Sequence, residues 1–221
     1  MMSRRERNSR PPGLARFVIG CIVVLLIQTE FGFAAESASL SVKGVTFSDH
    51  LGGFILEKVS GEGSMDDPFV LVEKMTDSNG GILSIRVEPE FGNRIATQHI
   101  IGFAVVKVIE DATDIAWTSF EMELQSRLGV PSNDSDGLSF GQGSNAGRPF
   151  TSDGFDKVTI ADRPYDRVEF EHGRIPIGGQ VTLRIVISES TPMGEVYLVQ
   201  RPGKPVAEAP LRPRNDHLAS R

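Results

Sequence analysis

Gln180-Val181-Thr182-Leu183-Arg184-Ile185-Val186-Ile187-Ser188 alternates Val181, Leu183, Ile185 and Ile187 with Thr182, Arg184 and Ser188. A period of two places one face of a strand in a core and the other in water. The same alternation recurs at 119–125, where Phe120, Met122 and Leu124 interleave with Ser119, Glu121, Glu123 and Gln125. Residues 101–109 are apolar on both faces except at Lys107, which predicts a strand at the centre of a sheet. No stretch keeps a 3.6-residue apolar period over three turns, so at most one short helix is expected.

Working outward, short runs rich in Val, Ile and Phe are bounded by Gly, Asn, Asp and Pro. They predict about ten strands, at 39–47, 53–60, 68–76, 81–88, 100–110, 117–125, 155–161, 166–171, 180–188 and 194–200. Asp77-Ser78-Asn79-Gly80-Gly81 stands between two such runs, and Asn-Gly supplies the positive φ values of a tight turn. Residues 68–88 are therefore expected to form a β-hairpin. Without a βαβ rhythm, the pattern predicts an all-β fold, a two-sheet antiparallel sandwich of the immunoglobulin-like or a related kind. Residues 129–154, rich in Gly, Ser, Asn and Asp, read as one long polar loop.

The amino terminus reads as a secretory signal peptide. Arg4, Arg5, Arg7, Arg10 and Arg16 precede the apolar run Phe17–Ile27, and Gly32-Phe33-Ala34 offers small residues where a signal peptidase reads. Cleavage is expected between Ala34 and Ala35. An uncleaved anchor would have to bury Glu30, at roughly 2.5–3.5 kcal/mol for an acid at a helix centre. Val18-Ile19-Gly20-Cys21 has the look of a lipoprotein box, but the apolar run lies mostly after Cys21. The expected organisation is a signal peptide over 1–34, a sandwich domain over 35–200 and a disordered, Pro-rich tail over 201–221. The expected destination is the periplasm or the medium.

Removing residues 1–34 takes away the only cysteine, Cys21, so the remainder would have no thiol for a disulfide, a metal or a nucleophile. Residues 35–200 carry 13 Lys/Arg against 25 Asp/Glu, a net of −12, which disfavours nucleic acid and anionic lipid as partners.

Gly173-Arg174-Ile175-Pro176-Ile177-Gly178-Gly179-Gln180-Val181-Thr182-Leu183 resembles a hairpin near the end of many bacterial immunoglobulin-like sandwich domains. Glu110-Asp111-Ala112-Thr113-Asp114-Ile115-Ala116-Trp117-Thr118-Ser119-Phe120 is similar to a pattern in secreted bacterial sandwich proteins, where a polar turn precedes a strand bearing Trp and Phe. The chain from residue 35 resembles a family of exported alphaproteobacterial proteins. The resemblance implies an immunoglobulin-like sandwich and export, and carries over no catalytic residue.

Candidate chemistry is sparse. Asn133-Asp134-Ser135-Asp136-Gly137 has the carboxylate spacing of a calcium loop, but Ser132 and Gly143 stand where an EF-hand needs its first Asp and its bidentate Glu. Asp66-Asp67 reads as a solvated pair. His50, His99, His172 and His217 have no metal-ligand spacing. Gly141–Gly147 matches neither a dinucleotide fingerprint nor a phosphate loop. There is no G-x-S-x-G elbow, and no carboxylate pair is marked out for glycoside hydrolysis. Trp117, the sole tryptophan, is expected in the core, with Tyr165 and Tyr197 the only tyrosines. The residues point to an exported non-enzymatic protein with a binding or structural role, without a cofactor, whose partner is a protein or envelope component. Two readings stay open beside it: a calcium- or carbohydrate-dependent module using 129–154, and a hydrolase built on a sandwich.

Overall fold

Fourteen strands form two sheets, with no helix, in a computed structural model that describes residues 37–133, 135–141, 149–192 and 194–204. One sheet runs in the order β1 (Ser39–Val42), β2 (Val45–Ser48), β5 (Gly81–Val87), β14 (Glu195–Gly203), β7 (Ser119–Arg127), β12 (Arg167–Gly173) and β11 (Phe155–Ala161), with the short β8 (Val130–Pro131) on β7. The other runs β10 (Thr151–Ser152), β13 (Gln180–Glu189), β6 (Ile101–Asp111), β4 (Phe69–Met75) and β3 (Phe54–Ser60), with β9 (Leu138–Ser139) on β13. The expected two-sheet sandwich is what the residues build. The expected signal peptide, with Ala34 and Ala35, lies outside the described residues.

The alternating residues form the core. Val181, Leu183 and Ile185 of β13 and Phe120, Met122 and Leu124 of β7 are fully buried. Burial of each such side chain is worth about 1.5–3 kcal/mol. Phe47, Phe69, Phe91 and Phe103 meet at ring-centroid distances of 5.4 to 5.9 Å and fill one end of the interior. Trp117 is buried as expected, tilted on Phe120 at 5.5 Å, with its indole N–H donating to Thr113 Oγ1 at 3.3 Å.

The hairpin expected over 68–88 does not form. The local turn is there: Asp77 Oδ1 accepts the Asn79 N–H at 2.8 Å and the Gly80 N–H reaches the Asp77 carbonyl at 3.0 Å. The flanking strands nevertheless enter different sheets, because β4 has both edges taken by β3 and β6, and β5 by β2 and β14. The turn is an arch, packed so closely that a Cβ on Gly80 would lie 1.9 Å from the Gln200 carbonyl oxygen. The segment 173–183 is likewise an arch, because β12 and β13 lie in different sheets. Two successive crossings, β4 to β5 and β5 to β6, reverse the chain twice, so β4 and β6 lie side by side in parallel.

Three smaller corrections follow. The run 39–47 is two strands, turned at Lys43 and Gly44, both with positive φ. The polar loop 129–154 holds β8, β9 and β10, and its Leu138, Phe140 and Phe150 are buried. The domain does not stop at residue 200: β14 continues through Arg201 and Pro202 to Gly203, pairing with β7. Pro202 is tolerated because pairing with β5 ends at Gln200, so its missing N–H breaks no ladder on that side.

The central position expected for β6 is observed, and Lys107 is the one cation on its inner face, which also carries the buried Asp111. Lys107 and Glu73 of β4 are both fully buried and form a direct ion pair. Burial pushes the Lys107 ammonium below the usual lysine range, against the pull of Glu73. Removing one partner of a buried pair strands the other charge, whereas removing both replaces two desolvated ions with apolar volume. Lys107→Met should therefore cost about 3–5 kcal/mol in urea unfolding, and Lys107→Met with Glu73→Leu should recover most or all of that loss.

Candidate functional site

A groove opens at the end of the sandwich where β5 and β13 finish and β6 and β14 begin. At Val87 the chain leaves β5 through Glu88 and Pro89, sends Phe91 and Ile95 into the core, and returns as β6 at Ile101. Opposite, β13 ends at Glu189 and the chain turns back into β14 at Glu195. The Val87 N–H donates to the Gly194 carbonyl at 3.2 Å and ties the two crossings together. The groove between them has a volume of about 600 Å³, with Val87, Pro89, Ile100, Ile101 and Pro192 as apolar walls. Ile100 is 48% exposed there. Arg86, Glu88 and Glu195 supply its charge.

A smaller cavity of about 10 Å³, room for about one water, lies towards the core and shares Val87, Ile101 and Glu195 with the groove. Glu189 lines it and is only 3% exposed. Its Oε1 accepts the Thr191 N–H at 2.9 Å and the Thr191 hydroxyl at 2.8 Å. Its Oε2 is buried and has no hydrogen-bond partner. Burial pushes this carboxyl above the ordinary range, and the charge of Asp136 adds to the rise.

Glu195 differs. Its Oε1 accepts the Ser84 hydroxyl at 2.5 Å, its Oε2 accepts the Tyr197 hydroxyl at 3.2 Å, and Arg86 Nη2 stands 4.0 Å away. The Ser84 hydrogen bond, with Tyr197 and the charges of Arg86 and His50, holds this carboxyl below the usual range against partial burial. Arg86 and Glu195 also border a polar pocket of about 100 Å³ that contains Ser48, His50 and Ser84. Serine and histidine meet there, but not as nucleophile and base. Ser48 donates its hydroxyl proton to the Ala38 carbonyl at 2.8 Å, so at 3.1 Å it can only accept from His50 Nδ1. Ser84 donates to Glu195.

The structure does not bring the other candidates together. Asp136 spends its oxygens inside its own loop, on the Ser132 hydroxyl at 2.8 Å, the Leu138 N–H at 3.2 Å and the Asn133 N–H at 3.4 Å. The arrangement closes a turn; Asp134 lies outside the described residues. Asp66 and Asp67 are exposed, as expected. His50 and His172 are exposed and His99 is half-buried. Among the described residues no three His, Cys, Asp or Glu side chains are grouped to hold a metal ion. Gly141 packs against Val186, and the rest of that glycine-rich run lies outside the described residues, as does His217. Tyr165 is 48% exposed on another surface, beside Arg163, Pro164 and Arg167.

The sequence reading passed over Glu189, although a signal was present. It extends the odd-numbered face of Val181, Leu183, Ile185 and Ile187, so an acid falls where the pattern calls for an apolar residue.

The raised Glu189 carboxyl sets a pH dependence with a definite sign. Its unfolded value is about 4.3, and between that and the raised folded value the native state holds the extra proton. Stability from this group is thus full in acid and lost as pH rises through the folded value. Glu189→Gln should match the wild type near pH 4 and exceed its urea midpoint near pH 8. A variant less stable at both pH values would show that the carboxylate is satisfied in the fold.

Compared with family models, curated proteins and solved structures, the chain matches none.

Proposed function

We propose that this chain is an exported, non-catalytic binding protein whose ligand lodges in the groove lined by Val87, Ile101, Pro192 and Gly194. The groove itself carries the reading: about 600 Å³ of largely apolar space, with a few polar groups at its rim, at one end of the sandwich. Small-molecule sites have this size and character. Export is supported by the Arg-rich start, the apolar run Phe17–Ile27 and Gly32-Phe33-Ala34. In a host that exports the chain, the intact mass of the recovered protein should begin at Ala35.

A neutral apolar dye such as Nile red should brighten on binding the purified protein. A Cβ added at Gly194 meets no atom within 4 Å and the position needs no positive φ, so a side chain is accommodated beside the groove. Gly194→Leu and Ile100→Asp should each weaken dye binding about tenfold, equivalent to about 1.4 kcal/mol. Their stability should stay within about 0.5 kcal/mol of the wild type. Undiminished dye binding by both variants would remove the groove as the site.

A further inference from the structure

We infer that the groove selects an apolar ligand carrying a primary amine at one end, and that the Glu189 carboxylate is the partner of that amine. The inference rests on the groove being the binding site and adds the chemical class of what enters it.

Three observations converge. Glu189 Oε2 is a buried acceptor with no partner, and the cavity that Glu189 lines is walled mainly by apolar residues, Ile85, Phe103, Leu138 and Ile187 among them, with Ser188 and Glu195 beside them. A buried polar atom left unpaired weakens the fold, and a charged one does so more. A ligand donor reaching Oε2 would recover that cost on binding. The cavity that Glu189 lines meets the groove at Val87, Ile101 and Glu195, and its volume of about 10 Å³ suits a group the size of a water or an ammonium. The charges also have one sign in excess. Glu88, Glu189 and Glu195 surround the path against a single cation, Arg86, which stands beside Glu195 with a side chain 69% exposed.

The three head groups an apolar ligand commonly bears are separated by this arrangement. A carboxylate would meet three carboxylates. A hydroxyl would satisfy Oε2 without compensating its charge. An ammonium would do both, adding the attraction of opposite charges to the hydrogen bond. The alkyl part would lie along Val87, Ile100, Ile101 and Pro192, where the walls are apolar. Thr191 already holds Oε1, so the carboxylate is fixed in place before a ligand arrives.

The test is displacement of bound Nile red from the purified protein at neutral pH by octylamine, octanol and octanoate. Octylamine should displace the dye at about one-tenth the concentration of octanol or less, and octanoate should be the weakest. Glu189→Gln should bring octylamine to the level of octanol. Glu88→Gln should keep most of the amine preference. Equal potency of amine and alcohol on the wild type would overturn the inference and leave the groove standing. So would an amine preference that survives Glu189→Gln. Failure of all three compounds to displace the dye would remove the groove itself as the site. The wild-type ranking decides the matter even if Glu189→Gln does not fold.

Discussion

Lys107 and Glu73 are two opposite charges buried together on the inner face of adjacent parallel strands, and the sandwich is arranged around keeping them paired. Neither side chain reaches water. Each ion alone would cost several kcal/mol after relaxation, so the pair holds only while both remain in contact. Contact requires the observed register, in which Leu71 lies opposite Lys107 and Glu73 opposite Ile109. A one-residue slip of β6 would turn Lys107 to the opposite face and leave Glu73 unpaired. The register in turn settles the path of the chain. Parallel β4 and β6 need an intervening strand that runs the other way, and β5 supplies it from the opposite sheet.

That path leaves one end of the sandwich incompletely closed. The 88–100 crossing fills part of it by sending Phe91 and Ile95 inward. The groove is the space that remains, bounded on its other side by Pro192 and Gly194. Glu189 stands at the base of this opening with one oxygen satisfied by Thr191 and the other by nothing. An interior that is otherwise well packed thus keeps an acid at a position where its own strand pattern calls for an aliphatic side chain. Stability given up at such a position is characteristic of binding sites.

The fold class was legible because alternation along a strand reports burial directly. Residues 180–188 and 119–125 lie where their pattern places them, and the apolar run around Lys107 is a central strand. Pairing was far less legible. Asp77-Ser78-Asn79-Gly80 forms its local turn, yet the strands on either side obey other partners, β3 and β6 for β4, and for β5 the strand β14, more than a hundred residues away. Local turn chemistry specifies that the chain reverses but not which sheet it rejoins. In 129–154 the abundance of Gly, Ser and Asn masked Leu138, Phe140 and Phe150, whose burial on β13 is a tertiary property. The groove was hidden for the same reason: Val87, Ile101 and Gly194 come from three separate stretches. Only Glu189 carried a readable signal, as an acid on an apolar face.

The central claim is that an amine-bearing apolar ligand enters this opening and reaches Glu189. A titration of the isotopically labelled protein with octylamine, followed through its Ile and Val methyl resonances, addresses it most directly. The account predicts saturable shifts at Ile100, Ile101, Val87 and Ile187, with the methyl signals of the core away from the groove and the cavity beneath it unmoved. Shifts centred near Val158 and Ile160, towards Tyr165, or no saturable shift at any of the four, would contradict it.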